Sequence, residues 1–480
     1  MPPQRRDGIS RSVCLILSLF VHLLVPVAAE SIVFDNEVVP WPGEARGWYI
    51  FRAYSRVDFE VTNHGKSSLM QQTAVELELA AQGVQPLDPF GEYPSLEAVV
   101  VYQEDFDMQF DRHHFCSEGR FQIPAKGDLE LAHVRIPLIT LGSPPDHGQM
   151  ESLISVPINK TGSYLFLLSN CGNATVGQVS GHVRVLNPYG YLPPEQYHKE
   201  GPLKFILVLY ILAGAGWLAH GASMITQFYE VHFYFTGVAI LSILELASKL
   251  YALQMWNDTA SFEPWMSVAT FAYVLKWVFF YLLAVYIGGG FYDRSSQEKE
   301  AKLATASTLQ NISAVCTLYA ALLTIRESTM YGSRGLNLGA SALVLSSLPV
   351  IVMDAAFVVH LVFLTMAEYH KSEKVHDYSR SSLFGKLHTL SLVFALVGAC
   401  SVMLELLHLS GTLALSWRTQ WIPSEGVAHF ICFTGLGCSM VAMRPGAVER
   451  RSSKGKVAPG DGEDSSLLAD AIGRAEALER

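Results

Sequence analysis

Residues 265–287, WMSVATFAYVLKWVFFYLLAVYI, decide the fold class, because a single charge, Lys276, interrupts an otherwise apolar run. A helix needs about 20 predominantly apolar residues to cross the hydrocarbon core of a bilayer. The stretch is long enough, so it predicts a membrane-spanning helix. The whole chain shares this bias: 50% of its 480 residues are hydrophobic and 16% are charged, against roughly 25% charged in an average soluble domain.

Six further apolar runs flank this stretch and predict a membrane domain of seven helices over residues 204–444. The seven predicted spans are Phe205 to Ile225, Phe233 to Leu253, Trp265 to Ile287, Leu303 to Ile325, Leu338 to Met366, Leu387 to Leu409 and Val427 to Met443. The fourth is the weakest, because polar residues such as Gln310 and Asn311 interrupt it. A helix packed inside a bundle tolerates such groups better than one that faces lipid.

Basic residues are distributed unevenly among the connections between these spans. With the N-terminus in the lumen, the cytosolic connections and residues 444–456 after the last span together hold twelve Lys and Arg residues, and the lumenal connections hold three. Cytosolic loops normally carry the excess of positive charge. The count therefore predicts a lumenal N-terminus and a cytosolic tail at residues 445–480, whose Gly, Pro, Ser and charged residues predict disorder.

The leader, residues 1–29, has the composition of a signal peptide. Three arginines precede an apolar stretch from Val13 to Val27, and Val27-Ala28-Ala29 has the small-residue pattern of a cleavage site. The alternative is a retained anchor, but the stretch is short for a bilayer and contains His22 and Pro26. We therefore expect the mature chain to begin at Glu30 in the secretory pathway.

Residues 30–200 alternate apolar and polar side chains with a period of two, as in Val75 and Leu77 or in Val183 and Val185. This period is typical of half-buried strands, and Gly- and Pro-rich segments separate the runs. Two sheets can bury their apolar faces against each other. The pattern therefore predicts an all-β sandwich on the lumenal side, followed by the all-α bundle.

The lumenal region also carries candidate covalent modifications. Cys116 and Cys171 are its two cysteines, and an oxidising compartment favours a disulfide between them, although two separate buried thiols are the alternative. Asn159 and Asn173 begin glycosylation sequons, and Asn257 begins a third in the predicted lumenal connection between the second and third spans.

Ionisable residues inside spans are costly and mark candidate functional sites. Seven such residues in the predicted spans are the candidates: Glu245, Lys249, Lys276, Asp354, His360, Glu405 and His408. Glu245 and Lys249 have the i, i+4 spacing of a helical ion pair. Two interpretations stay open: the seven groups bind helices to one another, or they line a polar cavity in which anionic headgroups or ions reach Lys276.

Catalytic, metal and nucleic-acid motifs are absent from the sequence. The net charge of −10 comes without a basic stripe, which argues against nucleic-acid binding. His113 and His114 precede Cys116, but the surrounding acids and the lack of a second Cys/His pair indicate a solvated loop rather than a metal site. We therefore expect neither an enzyme nor a cofactor.

The segment before the first span, Asn187-Pro188-Tyr189-Gly190-Tyr191-Leu192, resembles the juncture of the lung seven-transmembrane receptor family, also described as Golgi-dynamics-domain proteins. Similar family positions are Trp217, Glu245, Lys276, Gly288 to Gly290, Leu348 to Asp354, Arg444-Pro445 and the Gly162, Tyr164, Phe166, Asn170 strand. The resemblance implies a cargo-binding Golgi-dynamics-like sandwich, residence in Golgi and endosomal membranes, and roles in vesicular trafficking. Lipid binding or ion conduction is implied for some members.

The first functional hypothesis is therefore a trafficking protein that escorts lumenal protein cargo in Golgi membranes, endosomes or the plasma membrane. In the tail, Glu463 followed by Leu467 and Leu468 fits the acidic-dileucine form that binds coat adaptors. The alternative for these leucines is the start of a short helix reaching Leu478.

Two further hypotheses compete with trafficking. A channel or lipid-binding protein, with ions or a phospholipid in the bundle, rests on the intramembrane charges. A G-protein-coupled receptor ranks third, because the only Asn-Pro-x-x-Tyr match, at Asn187, precedes the first span, and no cysteine stands at the lumenal end of the third.

Overall fold

The computed structural model describes residues 32–38, 44–56, 72–86, 97–102, 116–117, 120–121, 133–137, 150–171, 174–223, 230–261, 264–290, 299–332, 340–409, 412–413, 415–416 and 418–443. The described residues form a sheet region followed by a helical region. The predicted signal peptide, Asn173 and the tail with Glu463, Leu467 and Leu468 lie outside them.

The sheet region contains ten strands among the described residues. Their bounds are β1 Ile32–Val38, β2 Glu44–Ala53, β3 Ala74–Pro86, β4 Glu97–Tyr102, β5 Cys116–Ser117, β6 Arg120–Phe121, β7 His133–Pro137, β8 Met150–Pro157, β9 Gly162–Asn170 and β10 Ala174–Leu186. They form two four-stranded antiparallel sheets, of order β1-β10-β3-β8 and β2-β9-β4-β7, and the pair β5-β6.

The period-two runs become neighbouring strands of the first sheet. Val75 and Leu77 of β3 lie opposite Val185 and Val183 of β10, and all but Val185 are fully buried. In the second sheet, the consecutive residues Val99 and Val100 of β4 are both buried. Because successive side chains point to opposite faces, both faces of that sheet are covered.

Seven α-helices follow in the described residues. Their bounds are α1 Pro194–Ser223, α2 Glu230–Thr259, α3 Trp265–Gly288, α4 Lys299–Gly332, α5 Ala340–Lys374, α6 Tyr378–Leu409 and α7 Val427–Ala442. A π-helical turn, Ile422–Gly426, leads directly into α7. Consecutive helices pack on one another, and α7 returns to contact α1 and α2, which closes the bundle.

Five of these helices, α1, α2, α3, α5 and α6, are long and apolar enough to cross a membrane. The chain is thus built as a multi-pass membrane protein. The predicted fourth and seventh spans are not among the five. Helix α4 carries the polar residues that weakened the fourth run, and α7 is a shorter apolar helix.

Candidate functional site

A buried ion cluster lies where the helices approach the sheet region. Glu425, in the π-helical turn, accepts hydrogen bonds from two ammonium groups: its Oε1 lies 2.7 Å from Lys199 Nζ of α1, and its Oε2 lies 2.7 Å from Lys249 Nζ of α2. Both lysine side chains are largely buried. One carboxylate therefore ties α7 to two other helices.

A second buried pair lies on the same face of α2. Lys276 Nζ of α3 lies 2.6 Å from Glu245 Oε2, and the two side chains are 0% and 2% exposed. His429 Nε2 of α7 lies 3.8 Å from the other oxygen of Glu245. The ammonium group also lies 4.9 Å from the ring centroid of Tyr273 and 5.4 Å from that of Trp277, within the range of cation–π attraction.

Glu245 and Lys249 thus take their partners from other elements, Glu245 from α3 and Lys249 from the π-helical turn. Their i, i+4 spacing places both on one face of α2 but does not decide the pairing. Lys276 is fully buried and does not line the large cavity of the bundle, whereas Tyr273 and Trp277, whose rings lie near its ammonium group, do line it. For Lys276, this geometry favours the interpretation that the intramembrane charges bind helices to one another. It does not favour access of anionic headgroups to Lys276.

A cavity of about 1230 Å³ opens between α3, α4, α5, α6 and α7. Most of its lining is apolar, from side chains such as Phe280, Leu348 and Phe394. Its charged lining residues are Arg326, Asp354 and Glu405. The cavity exceeds the roughly 300–1,000 Å³ of a typical small-molecule pocket, so it has room for a long apolar chain.

Asp354 is the carboxylate of this cavity for which the described residues provide no salt bridge, although the charge of Arg326 acts on it from a greater distance. Its Oδ1 accepts hydrogen bonds from Tyr281 OH at 2.6 Å and from Tyr319 OH at 2.9 Å. Tyr281 is held in place by Phe357, which stacks on it at 4.3 Å between ring centroids. Glu405 differs, because its Oε1 lies 3.7 Å from Arg326 Nη2.

The two histidines predicted for the site lie away from these groups. His360 is exposed on the outside of α5. His408 closes the end of α6, where its Nδ1 lies 3.2 Å from Leu413 O. The seven predicted residues therefore do not share one cavity: Asp354 and Glu405 line it, Glu245, Lys249 and Lys276 belong to buried ion pairs, and the histidines join neither group.

The juncture segment, residues 187–192, forms hydrogen bonds with both the sheet region and the helices. Asn187 Oδ1 accepts a hydrogen bond from Tyr54 N at 2.9 Å, and its Nδ2 donates to Leu192 O at 3.0 Å. Tyr191 OH donates to Glu76 Oε2 of β3 at 3.0 Å. Partial burial raises the pKa of the Tyr191 hydroxyl, and the neighbouring Glu76 raises it further. Gly190 has a φ of +133°, a conformation that favours glycine.

Asn257, a predicted glycosylation site, belongs to this juncture. Its Nδ2 donates to Tyr189 O at 2.7 Å, and its Oδ1 lies 3.4 Å from Leu192 N. A glycan would replace one of the two hydrogens on Nδ2 and would have to fit beside this half-buried contact. Asn159 is exposed between β8 and β9, in a position open to modification.

Cys171 is disulfide-bonded in the structure. The cysteines at 316, 400, 432 and 438 are free thiols. Pairing of Cys171 with Cys116 stays a prediction, since the side chain of Cys116 lies outside the described residues. Within the described ranges, no group of three His, Cys, Asp or Glu side chains is placed to hold a metal ion.

Sequence reasoning missed Lys199, Glu425, Arg326 and the two tyrosines that hold Asp354. The three charged residues lie at or just outside the ends of the predicted spans, where charges are common and carry little signal. The sequence does not identify the two tyrosines either, because a tyrosine in an apolar run is normally interpreted as a core residue.

No protein-family model matches the chain, and no curated protein matches it. The resemblance to the lung seven-transmembrane receptor family therefore stays a hypothesis, carried by the residues quoted for it.

Proposed function

We propose that this multi-pass membrane protein binds an amphiphile with a positively charged head in the cavity between α3, α4, α5, α6 and α7. The observation that carries the proposal is Asp354, a carboxylate that forms no salt bridge among the described residues, on the wall of a large apolar cavity whose lining holds two carboxylates and one guanidinium. Of the two cavity-based alternatives, this geometry supports lipid binding more directly than ion conduction.

The charges of the cavity decide the class of head group. The cavity lining carries two negative charges, Asp354 and Glu405, and one positive charge, Arg326, whose Nη2 lies 3.7 Å from Glu405 Oε1. Lys276 is fully buried and does not line the cavity. One oxygen of Asp354 accepts hydrogen bonds from two tyrosine hydroxyls. An ionised carboxylate in a medium of low dielectric attracts a cation strongly, so an ammonium head with an apolar tail fits both the charge and the lining.

The test uses a photoreactive hexadecylamine with the purified full-length protein in lipid nanodiscs, and a photoreactive hexadecanol as the uncharged comparison. We expect the amine to label peptides of α5 and α6 that line the cavity. Asp354→Asn keeps a side chain that can accept the tyrosine hydrogen bonds but removes the charge. Since a charge-assisted hydrogen bond contributes about 1.5–3 kcal/mol, labelling should fall about tenfold or more.

Glu373→Gln is the matched control, because Glu373 lies on the same helix, is exposed and does not line the cavity. It removes one negative charge and should leave the labelling unchanged. Equal labelling by the amine and the alcohol in the unaltered protein would show that charge does not select the ligand. A cavity that neither probe labels would contradict the proposal.

Trafficking is the second candidate function, with lumenal protein cargo and cytosolic coat adaptors as partners. It is supported by the resemblance and by the tail motif Glu463, Leu467 and Leu468. We expect Leu467→Ala with Leu468→Ala to shift the protein from Golgi and endosomal membranes toward the plasma membrane. Leu478→Ala, in the same tail but outside the motif, should not; an unchanged distribution of the double variant would contradict the sorting role.

The finer architecture belongs to the same proposal. We take the two sheets to face each other as a sandwich, because β4 and β9 are buried on both faces. We take α4 and α7 to complete seven spans, since α7 continues the π-helical turn and contacts both α1 and α6.

A further inference from the structure

The connection between α6 and α7 touches three parts of the molecule at once. We call residues 418–426 the α6–α7 connection. They contact the sheet region, the buried ion cluster and the wall of the cavity. The juncture segment also joins the sheet region to the helices, but residues 418–426 contact all three parts, so this short segment is placed to transmit a displacement from one to another.

On the sheet side, two arginines form the contact. Arg418 Nη2 donates to Tyr54 OH at 2.9 Å, and Arg52 Nη1 of β2 donates to Gln420 Oε1 at 3.1 Å. Tyr54 is itself fixed, because its backbone N–H donates to Asn187 Oδ1 at 2.9 Å and its carbonyl accepts from Thr73 Oγ1 at 2.6 Å. The connection is thus held by a rigid part of the sheet region.

On the helix side, the same segment is tied down by charge. Glu425 holds Lys199 and Lys249 at 2.7 Å each, so the π-helical turn is anchored to α1 and α2. A π-helical turn is uncommon in α-helical proteins and frequent at functional sites. Glu425 lies in this turn, so a shift of the turn would displace its contacts with Lys199 and Lys249.

The connection also forms part of the cavity wall. Pro423 lines the cavity and is buried, and Val427, the first residue of α7, lines it as well. Ser401 Oγ of α6 donates to Pro423 O, which fixes this part of the wall to the opposite helix. A displacement of residues 418–420 would therefore reach the cavity through Pro423.

We propose that the α6–α7 connection couples the sheet region to the position of α7 and, through it, to the affinity of the cavity. This inference rests on the proposed function for its ligand, but the position of α7 has a readout of its own. Coupling between two sites is reciprocal. A partner that docks on the sheet region and loosens Arg418 would lower ligand affinity, and a bound ligand would favour the sheet contact.

The test compares Arg418→Ala combined with Gln420→Ala against the unaltered full-length protein in nanodiscs. Both residues lie outside the cavity and outside the ion cluster. Two quantities are measured: the apparent affinity for photoreactive hexadecylamine, and the rate at which Cys432 reacts with a membrane-permeant maleimide. Cys432 is buried in α7, while Cys438 on the same helix is exposed and serves as the internal reference.

We expect the affinity of the double variant for the amine to fall at least about fivefold. We also expect the ratio of the Cys432 reaction rate to the Cys438 reaction rate to rise severalfold. Thr419→Ala is the matched control. Thr419 lies between the two altered residues, and its hydroxyl donates to the nearby Ser416 O rather than to the sheet region. It should change neither quantity.

The outcomes separate this inference from the proposed function. If the unaltered protein binds no amine but Cys432 becomes reactive in the double variant, the ligand is wrong and the coupling to α7 is supported. If the variant folds and both quantities match those of the unaltered protein, the coupling is overturned. Arg52→Ala removes the Gln420 contact from the sheet side and decides the question in the same way should the double variant fail to fold.

Discussion

At the scale of single residues, Lys276 illustrates what charge inside an apolar run does. The sequence identifies it as costly, since a lone charge in a span is expensive. It does not identify its partner, because Glu245 belongs to another helix and only packing brings the two together. For the same reason, the helical spacing of Glu245 and Lys249 suggested that they pair with each other. In the structure, Glu245 pairs with Lys276 and Lys249 pairs with Glu425.

We expect Lys276→Met to destabilise the protein strongly, because it leaves Glu245 buried without its cation. Breaking a buried pair in this way costs about 3–5 kcal/mol. Replacing both partners, as Lys276→Met with Glu245→Leu, should recover a large part of that loss, since no unpaired charge remains. Thermal unfolding of the purified variants, followed by loss of monodisperse protein, measures both effects.

Lys204→Met is the control for that prediction. Lys204 is paired with Glu200 at the surface of α1, and its side chain is 60% exposed. An exposed pair contributes about 0–1 kcal/mol, so this variant should unfold close to the temperature of the unaltered protein. If Lys276→Met behaves like Lys204→Met, the Lys276–Glu245 pair does not stabilise the bundle.

At the scale of elements, local patterns predicted the strands and helices better than their ends or contacts. The period-two runs of β3 and β10 are strands and are neighbours in one sheet. The strand β4, in contrast, has no alternation to detect, because it is buried on both faces. The apolar runs predicted the five helices that can cross a membrane, whereas the polar half of α4 and the short α7 leave the count of seven as a prediction.

In the juncture segment, the backbone conformation of Gly190 constrains which residue can stand there. Its φ of +133° suits glycine, and an added Cβ would lie 2.4 Å from Asn257 O. We expect Gly190→Ala to destabilise the protein by about 1–3 kcal/mol from backbone strain alone, with a further loss from the clash. The unfolding temperature and the yield of folded protein should both fall.

Gly216→Ala provides the comparison on the neighbouring helix. No atom of another element lies within 4 Å of a Cβ at Gly216, and the residue is exposed inside α1. Alanine is favoured over glycine in a helix by about 1 kcal/mol, so this variant should be as stable as the unaltered protein or more so. A Gly190→Ala variant that matches it would show that the juncture tolerates a side chain.

At the scale of the whole molecule, the contacts that join the sheet region to the helical region could not be predicted from the sequence. Arg52 and Gln420 are separated by 368 positions, and no local pattern connects them. The cavity could not be predicted either, because a void depends on how five helices pack. Composition, in contrast, acts over the whole chain, so the order of a sheet region before a membrane region was predictable from where the apolar residues lie.

Orientation is a further property of the whole molecule, and it leads to a prediction about glycans. With the sheet region in the lumen, Asn159 is exposed to the glycosylation machinery, and Asn173 lies in the same region. Asn257 faces the same compartment in this orientation, but its side chain is half-buried and its Nδ2 donates to Tyr189 O. We therefore expect glycosidase to lower the apparent mass of the unaltered protein, and the shift to vanish in Asn159→Gln with Asn173→Gln.

Asn257→Gln should leave that shift intact and instead reduce the yield of folded protein, since it disturbs the juncture. Protease added outside sealed vesicles completes the test, because the tail at residues 445–480 should be digested while the sheet region is protected. The cytosolic connections and residues 444–456 hold twelve basic residues against three on the lumenal connections, which favours this orientation. Digestion of the sheet region with an intact tail would reverse it, and the glycans at Asn159 and Asn173 would then be absent as well.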